Sequence, residues 1–147
     1  MRIEAVREPD IPNLLPMLCD YCDFYNAYPG EAKLRALAEH LVAHPGDGVQ
    51  LIARDERAAA LGFATVYWTW HTLVAAPVGI LHDLFVQPGH RGQGVGRALI
   101  EACRERAREH GAVALEWDTA PDNTRAQALY DATGAKRGEW ITYWLDA

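Results

Sequence analysis

The chain has 147 residues, the length of a single domain, and half of its residues are hydrophobic, as in ordinary globular proteins. Its 20 acidic and 14 basic side chains give a formal net charge of −6, which argues against the basic face that a nucleic-acid partner requires. No run approaches 18 uninterrupted apolar residues, so we expect no membrane contact through a spanning segment.

The first half of the chain predicts one strand, two helices and a hairpin. Alternating residues predict the strand, apolar residues at helical spacing predict the helices, and Asp10 is placed to cap the first helix. A polar turn between two β-prone runs predicts the hairpin. The elements are a strand over residues 1–6, helices over 11–25 and 31–43, and hairpin strands over 49–54 and 60–70.

The second half predicts a further strand and one crossover unit. The segment from residue 80 to residue 118 reads strand, helix, strand, so its two strands are expected to be parallel, since such a crossover joins parallel neighbours. The whole order indicates an α/β mixture, a single domain over residues 1–147, around a largely antiparallel sheet. The elements are strands over residues 78–87, 112–118 and 139–145, and helices over 95–109 and 124–133.

A glycine-rich loop joins the strand that ends before Pro88 to the helix that begins at Val95. Gly92, Gly94 and Gly96 alternate with other residues there, and glycine lets a backbone approach a ligand closely. The start of a helix also presents unpaired N–H groups at the positive end of its dipole. The loop therefore predicts an anion site, for a phosphate or pyrophosphate.

Two common phosphate loops do not fit this spacing. The dinucleotide pattern G-x-G-x-x-G requires a third glycine where Arg97 stands, and no Lys-Ser/Thr pair follows as in a P-loop. The pattern that does fit is R-x-x-G-x-G, with Arg91, Gly94 and Gly96.

That pattern resembles the pyrophosphate loop of the GNAT superfamily of N-acetyltransferases. The resemblance extends to N-x-x-A-x-x-L-Y-x-x-x-G, which is present as Asn123, Ala126, Leu129, Tyr130 and Gly134. It implies the GNAT fold, a mostly antiparallel central sheet with one parallel β-α-β crossover and helices on both faces. It also implies transfer of an acetyl group from acetyl-CoA, with no metal.

The resemblance assigns the acetyl-CoA contacts. The strand backbone at Leu84, Phe85 and Val86 would pair with the pantetheine arm as a strand edge does. Asn123 would either contact CoA or cap the following helix. The loop residues implied for the pyrophosphate are Arg91, Gly92, Gln93, Gly94, Val95, Gly96 and Arg97.

Two residues are candidates for proton transfer. The resemblance implies that Tyr130 donates a proton to the departing CoA thiolate, a role that the pKa of a phenol suits. The alternative for Tyr130 is that its ring only packs in the core. His82 can accept the proton of the acceptor's ammonium near neutral pH. An equal alternative is that Asp83 or Glu116 acts as the base through a water molecule. Regular strand alternation would put His82 on the same face as Leu84 and Asp83 on the opposite face.

The segment LHDLFV, residues 81–86, resembles LEDLFV in the polyamine and diamine acetyltransferase branch, with His82 in place of a glutamate. Glu116-Trp117 and Glu139-Trp140 also resemble that branch. The implied acceptor is a small cationic amine, attacked directly in a ternary complex, and the branch implies a homodimer. The alternatives are acetylation of peptides or proteins, and a non-catalytic acyl-CoA-binding module.

The cysteines and histidines indicate no further chemistry. Cys19, Cys22 and Cys103 are an odd set without an apolar leader before them, which indicates reduced thiols and a cytoplasmic location. The pair Cys19 and Cys22 lies inside a predicted helix, where a redox motif is not expected. His40 and His44 lack a zinc-site pattern, so we expect them to face solvent.

Overall fold

The computed structural model describes residues 1–147, as four helices and a five-stranded sheet, with 3₁₀ turns at Glu8–Asp10 and Pro88–His90. Most bounds lie within two residues of those predicted. No helix combines the length and apolar composition needed to cross a bilayer. The elements are β1 (Arg2–Ala5), α1 (Ile11–Phe24), α2 (Glu31–Ala43), β2 (Gly48–Arg54), β3 (Ala60–His71), β4 (Ala76–Val86), α3 (Val95–Glu109), β5 (Leu115–Glu116) and α4 (Thr124–Ala132).

The sheet has the order β1-β2-β3-β4-β5, so each strand pairs with its neighbours in the chain. The first three pairings are antiparallel, and β4 and β5 are parallel. The prediction of one parallel crossover, carried by α3, is therefore confirmed.

Two hydrophobic cores lie on opposite faces of the sheet. On the first face Leu14 and Leu18 of α1 pack with Ile52, Phe63 and Phe85 of the sheet. On the second face the side chains of α3 pack against the alternate residues of β2, β3 and β4. Because strand side chains alternate, helices cover both faces, as the resemblance implied.

Asp10 does not cap α1 through its side chain, contrary to prediction, because a 3₁₀ turn precedes the helix. Its carboxylate accepts hydrogen bonds from the Arg7 backbone N–H (3.0 Å) and from Arg54 (2.9 Å), and the Arg54 side chain is largely buried. Burial acts to raise the pKa of Asp10, but these hydrogen bonds and the Arg54 charge outweigh it and hold the pKa below its ordinary value.

Replacing Asp10 with asparagine should destabilise the fold by about 2–4 kcal/mol at pH 7, since it leaves the guanidinium of Arg54 without its anion. A carboxyl whose pKa is lowered on folding contributes stability above its unfolded pKa and loses it as pH falls. The difference in unfolding free energy between wild type and Asp10→Asn should therefore shrink below about pH 4, which urea unfolding at pH 7 and at pH 3 would measure. Equal midpoints for both proteins at pH 7 would contradict it.

The predicted last strand, residues 139–145, is wrong: this segment has no regular structure and its large apolar side chains are exposed. The strand predicted over 112–118 contracts to β5, two residues long, at the edge of the sheet. A strand needs a partner edge as well as an apolar pattern, and β5 offers only two residues of edge. The exposed side chains are Trp140, Ile141, Tyr143, Trp144 and Leu145.

Candidate active site

The site forms where β4 separates from β5. The two strands pair only at Gly79–Leu115 and Ile80–Glu116. From Leu81 to Val86, therefore, β4 keeps its pairing with β3 on one side and has no strand partner on the other. This open edge carries the backbone of the residues predicted to hold a pantetheine arm, and it can accept an extended ligand as a further strand would be accepted.

The glycine loop lies at the end of that edge. The backbone N–H groups of residues 92–97 donate to no protein acceptor, and the first helical donor is the N–H of Ala98. Gly92 and Gly94 have positive φ angles of 77° and 84°, with no atom near the position of a Cβ. No side chain caps α3, whose N-terminus begins after Gly94. Six free donors at a helix start are available to an anion, the type of ligand predicted for this loop.

Two side-chain hydrogen bonds hold the loop in place. The Arg91 Nε donates to the Val86 carbonyl oxygen at 2.9 Å, and its guanidinium lies over the Phe85 ring. The Gln93 amide donates to the Gly89 carbonyl at 3.1 Å. Arg91 therefore ties the loop to the end of β4, a contact that the sequence did not reveal.

A β-bulge at His82 reshapes the middle of β4. Asp83 pairs with Thr65 and Leu81 pairs with Val66, which leaves His82 as the extra residue. Asp83 therefore lies on the α1 face with Phe85, whereas Leu81 packs on the α3 face. The predicted alternation is thus interrupted at His82, which is 66% exposed, with its ring edge-on to Tyr67.

One pocket brings the two proposed catalytic side chains together. His82, Leu84 and Tyr130 line it, so residues 48 positions apart share one cavity. Glu116, one of the two alternative bases, does not line this pocket but lines a wider adjoining cleft beside α3 and α4, to which Tyr130 also contributes. The remaining lining residues of the pocket are Tyr21, Tyr25, Leu81, Trp117, Asp118 and Thr119.

Tyr130 is held with its hydroxyl available. Its half-buried ring lies edge-on to Trp117, with 5.4 Å between ring centroids, and its hydroxyl has no hydrogen-bond partner in the protein. Burial, with a smaller contribution from Tyr25, raises the pKa of Tyr130 above its ordinary value. The phenol therefore stays protonated at neutral and moderately alkaline pH.

Asp83 lies beneath the pocket, with its side chain 14% exposed. Its Oδ1 is 3.5 Å from the Nδ1 of His82. Burial first, and the charge of Asp83 second, raise the pKa of both Tyr21 and Tyr67. The Tyr21 hydroxyl donates to the His82 carbonyl oxygen at 3.4 Å. The carboxylate is therefore surrounded by aromatic hydroxyls.

Three polar lining residues were not identified from the sequence as members of the site. Tyr21 lies in α1, one turn before Tyr25. Asp118 and Thr119 follow β5, and ligands commonly bind beyond the carboxyl ends of parallel strands. That rule could have identified Asp118 and Thr119.

Asn123 caps α4, because its Oδ1 accepts the backbone N–H of Ala126 at 3.2 Å. The three cysteines are free thiols, and burial raises the pKa of each, to about 12 for Cys103. They are therefore weak nucleophiles. His40 and His44 are exposed, as predicted. No group of three or more His, Cys, Asp or Glu side chains has metal-binding geometry.

Comparison with known proteins identifies the family. The model of the acetyltransferase (GNAT) family matches residues 15–135. The chain belongs to the GNAT family. It is 31% identical over 138 residues to the uncharacterized N-acetyltransferase YhfO of Bacillus subtilis (strain 168), covering 91% of this chain and 89% of that protein. It is 34% identical over 121 residues to thialysine N-epsilon-acetyltransferase of Caenorhabditis elegans, covering 78% of this chain and 69% of that protein.

The fold agrees with this assignment. A crystal structure described as a probable acetyltransferase superposes with a TM-score of 0.89 at 29% identity, over 100% of this chain and 98% of that one. This GNAT protein is therefore an acyl-CoA-dependent N-acetyltransferase. The predicted fold, a mixed sheet with helices on both faces, is confirmed.

Proposed function

We propose that this GNAT enzyme transfers an acetyl group from acetyl-CoA to the primary amine of a small cationic molecule, by direct attack in a ternary complex. The observation that carries the proposal is the pocket in which His82 and Tyr130 meet at the open edge of β4. This supports a proton acceptor and a proton donor beside the strand that would hold the acyl donor.

The free loop donors fit the diphosphate of acetyl-CoA. Backbone N–H groups of residues 92–97 would bind the pyrophosphate oxygens, and the charge of Arg97 suits them. Leu84, Phe85 and Val86 would offer backbone donors and acceptors to the pantetheine amides. Acetyl-CoA supplies the thioester whose carbonyl carbon the amine attacks. Asn123 keeps its amide nitrogen for a CoA contact while its oxygen caps α4.

His82 is the proposed base. It accepts one proton from the substrate ammonium, and the nitrogen lone pair that this frees attacks the thioester. Asp83, next to its Nδ1, stabilises the imidazolium that forms and leaves the other ring nitrogen for the substrate. His82 is preferred to Glu116 because it lines the pocket with both Tyr130 and Leu84 of the open edge, whereas Glu116 shares only the wider cleft with Tyr130.

Tyr130 is the proposed acid. When the C–S bond breaks, the electron pair goes to sulfur, and the phenol donates its proton to the thiolate. The second proton that the nitrogen loses in becoming an amide restores the phenol, directly or through solvent. The raised pKa of Tyr130 keeps that proton in place at working pH, and the unpartnered hydroxyl leaves it free to be donated. Protonation completes the transfer, with the amide and free CoA thiol as products.

The lining of the pocket supports a cationic acceptor. Tyr21, Tyr25 and Trp117 offer aromatic rings and Asp118 offers a carboxylate, while the charge of Asp83 lies next to Tyr21 and His82. Ammonium groups bind to aromatic faces and carboxylates together. The resemblance of residues 81–86 to the polyamine and diamine branch, and a relative that carries the name thialysine N-epsilon-acetyltransferase, support the same class.

A panel of free amines tests the proposal. The enzyme should acetylate diamines, polyamines or basic amino acids in the presence of acetyl-CoA, detected by mass spectrometry and by release of CoA thiol. Transfer only to peptide amines would favour the peptide or protein acetyltransferase, and CoA binding without product would favour the non-catalytic module. Peptides of matched charge belong in the same panel.

Replacing His82 with glutamine should lower kcat about tenfold at pH 7, with the KM for acetyl-CoA unchanged. The effect is moderate because the side chain is exposed and water replaces part of its function. His44→Gln, at an exposed position after α2, is the matched control. Wild-type kcat in His82→Gln would remove His82 from the mechanism.

Further features of the proposal concern the whole chain. We infer that residues 1–147 form one GNAT domain, since both cores share one sheet.

The exposed apolar segment from Trp140 to Leu145 supports a homodimer, in which a partner would cover it. A light-scattering mass near twice the 16.3 kDa of the chain would agree with it, and a monomer mass would contradict it. The free cysteines support a cytoplasmic location.

A further inference from the structure

A row of polar side chains crosses the sheet beneath α1. In the strand register Gln50 of β2 pairs with Thr65 of β3, and Thr65 pairs with Asp83 of β4. All three lie on the face that also carries Phe63 and Phe85, which is otherwise an apolar core. The row begins in the interior of the protein and ends at the carboxylate next to His82.

The inner two members are deeply buried. Gln50 is 3% exposed and Thr65 is 0% exposed. The Gln50 amide nitrogen donates to the Thr65 hydroxyl oxygen at 3.3 Å, whereas the Gln50 Oε1 has no partner in the protein. A buried amide oxygen without a hydrogen bond costs about 1–3 kcal/mol, so an unused one at this place requires an explanation.

The geometry of the row explains the unpartnered oxygen of Gln50. Residues directly opposite in an antiparallel pair have Cβ atoms about 4.5–5.5 Å apart, so the Thr65 hydroxyl and the Asp83 carboxylate are within reach of one bridging water. The Thr65 oxygen already accepts from Gln50, which leaves its proton to donate. A water there would accept from Thr65 and donate to both Asp83 and Gln50 Oε1, three hydrogen bonds as buried waters usually make.

We propose that Gln50 and Thr65 are positioning residues that hold the Asp83 carboxylate in place for His82 through one bound water. The inference rests on the proposed function, in which His82 takes a proton from the substrate. It adds an internal support to that base: Gln50 orients the Thr65 hydroxyl, the hydroxyl orients the water, and the water holds the carboxylate.

Few other groups around Asp83 could hold its carboxylate in place. The groups that face the carboxylate are Tyr21 and Cys22 from α1, Tyr67 from β3 and His82 from β4 itself. No lysine or arginine pairs with it, and its one ion-pair partner is His82 at 3.5 Å. The Tyr21 hydroxyl and the His82 ring are the neighbouring donors from α1 and β4, and the row would add a donor from inside the sheet.

Three substitutions test the row. Thr65→Val removes the hydroxyl at nearly constant shape and should lower kcat about tenfold, with the KM for acetyl-CoA unchanged. Thr65→Ser restores the hydroxyl and should stay within about threefold of wild type. Gln50→Leu removes the unpartnered oxygen, so its unfolding midpoint should equal or exceed that of wild type while kcat still falls.

The background variant Asp83→Asn separates positioning from general damage. In it Thr65→Val should cost no further activity, because the hydroxyl acts only through the carboxylate. Equal losses in both backgrounds, or wild-type kcat in both Thr65→Val and Gln50→Leu, would overturn the inference.

A high-resolution crystal structure gives a readout that does not depend on turnover. It should show a water that contacts Asp83, Thr65 and Gln50 in the wild type and is missing in Thr65→Val. A dry row would overturn the inference even in an active enzyme. Failure of the proposed function would show differently, as a wild type that acetylates no amine while this water is still present.

Discussion

Replacing Tyr130 with phenylalanine is expected to lower kcat by about 10²-fold or more, with little change in the KM for either substrate. The substitution removes one hydroxyl and keeps the ring that packs against Trp117, so the pocket should retain its shape. The hydroxyl matters because it is the unpartnered acid facing the pocket that contains His82. Steady-state kinetics with a saturating amine from the panel would measure the effect.

Tyr25→Phe is the matched control, since it removes a hydroxyl from the same pocket without removing the proposed acid. It should change kcat by less than about threefold. Because the pKa of Tyr130 is raised above its ordinary value, the acid stays protonated through neutral and moderately alkaline pH, and wild-type kcat should show no loss from this group in that range. Wild-type kcat in Tyr130→Phe would mean that water protonates the thiolate and that Tyr130 only packs.

A valine at Gly94 should weaken CoA binding by about 10²-fold, because two or three hydrogen bonds to a charged phosphate are then misplaced. Gly94 has a φ of 84°, which a β-branched residue adopts only under strain, so the loop must change conformation. The effect therefore comes from the changed backbone and not from a clash, since no atom lies within 4 Å of the position of a Cβ at Gly94. Isothermal titration with CoA measures the loss directly.

Gly89→Val is the control for this experiment. Gly89 lies in the same connection, has open space around it and lacks a positive φ, so valine should fit there and leave CoA affinity within about threefold. Thermal unfolding should show that Gly94→Val remains folded, since the strain of one left-handed residue is about 1–2 kcal/mol. Normal CoA affinity in a folded Gly94→Val protein would refute the loop assignment.

The elements that depend on local patterns could be predicted closely. The bounds of α2 and α3 match those expected from apolar spacing, because an amphipathic helix shows its periodicity within its own residues. The anion loop followed from three glycines before a helix, and the structure shows the free donors that this arrangement implies. The family followed from motifs at specific separations, and the match over residues 15–135 confirms it.

The last strand shows where local patterns are insufficient. Residues 139–145 alternate like a strand, and a strand was expected, but the structure leaves them exposed without a partner edge. The same applies to Asp10, which suits an N-cap by residue type and instead pairs with Arg54, 44 positions away in the chain. Both predictions failed because the competing partner, or the missing one, is distant in the sequence.

By itself the sequence determined the family, the crossover and the glycine loop, since each depends on residues close together in the chain. Only the tertiary structure decided that β4 leaves β5 after Ile80 and that a bulge isolates His82. It alone placed Gln50 and Thr65 in line with Asp83. The physical reason is register: pairing between strands sets these neighbours, and a shift of one residue turns a side chain to the opposite face without changing any local pattern.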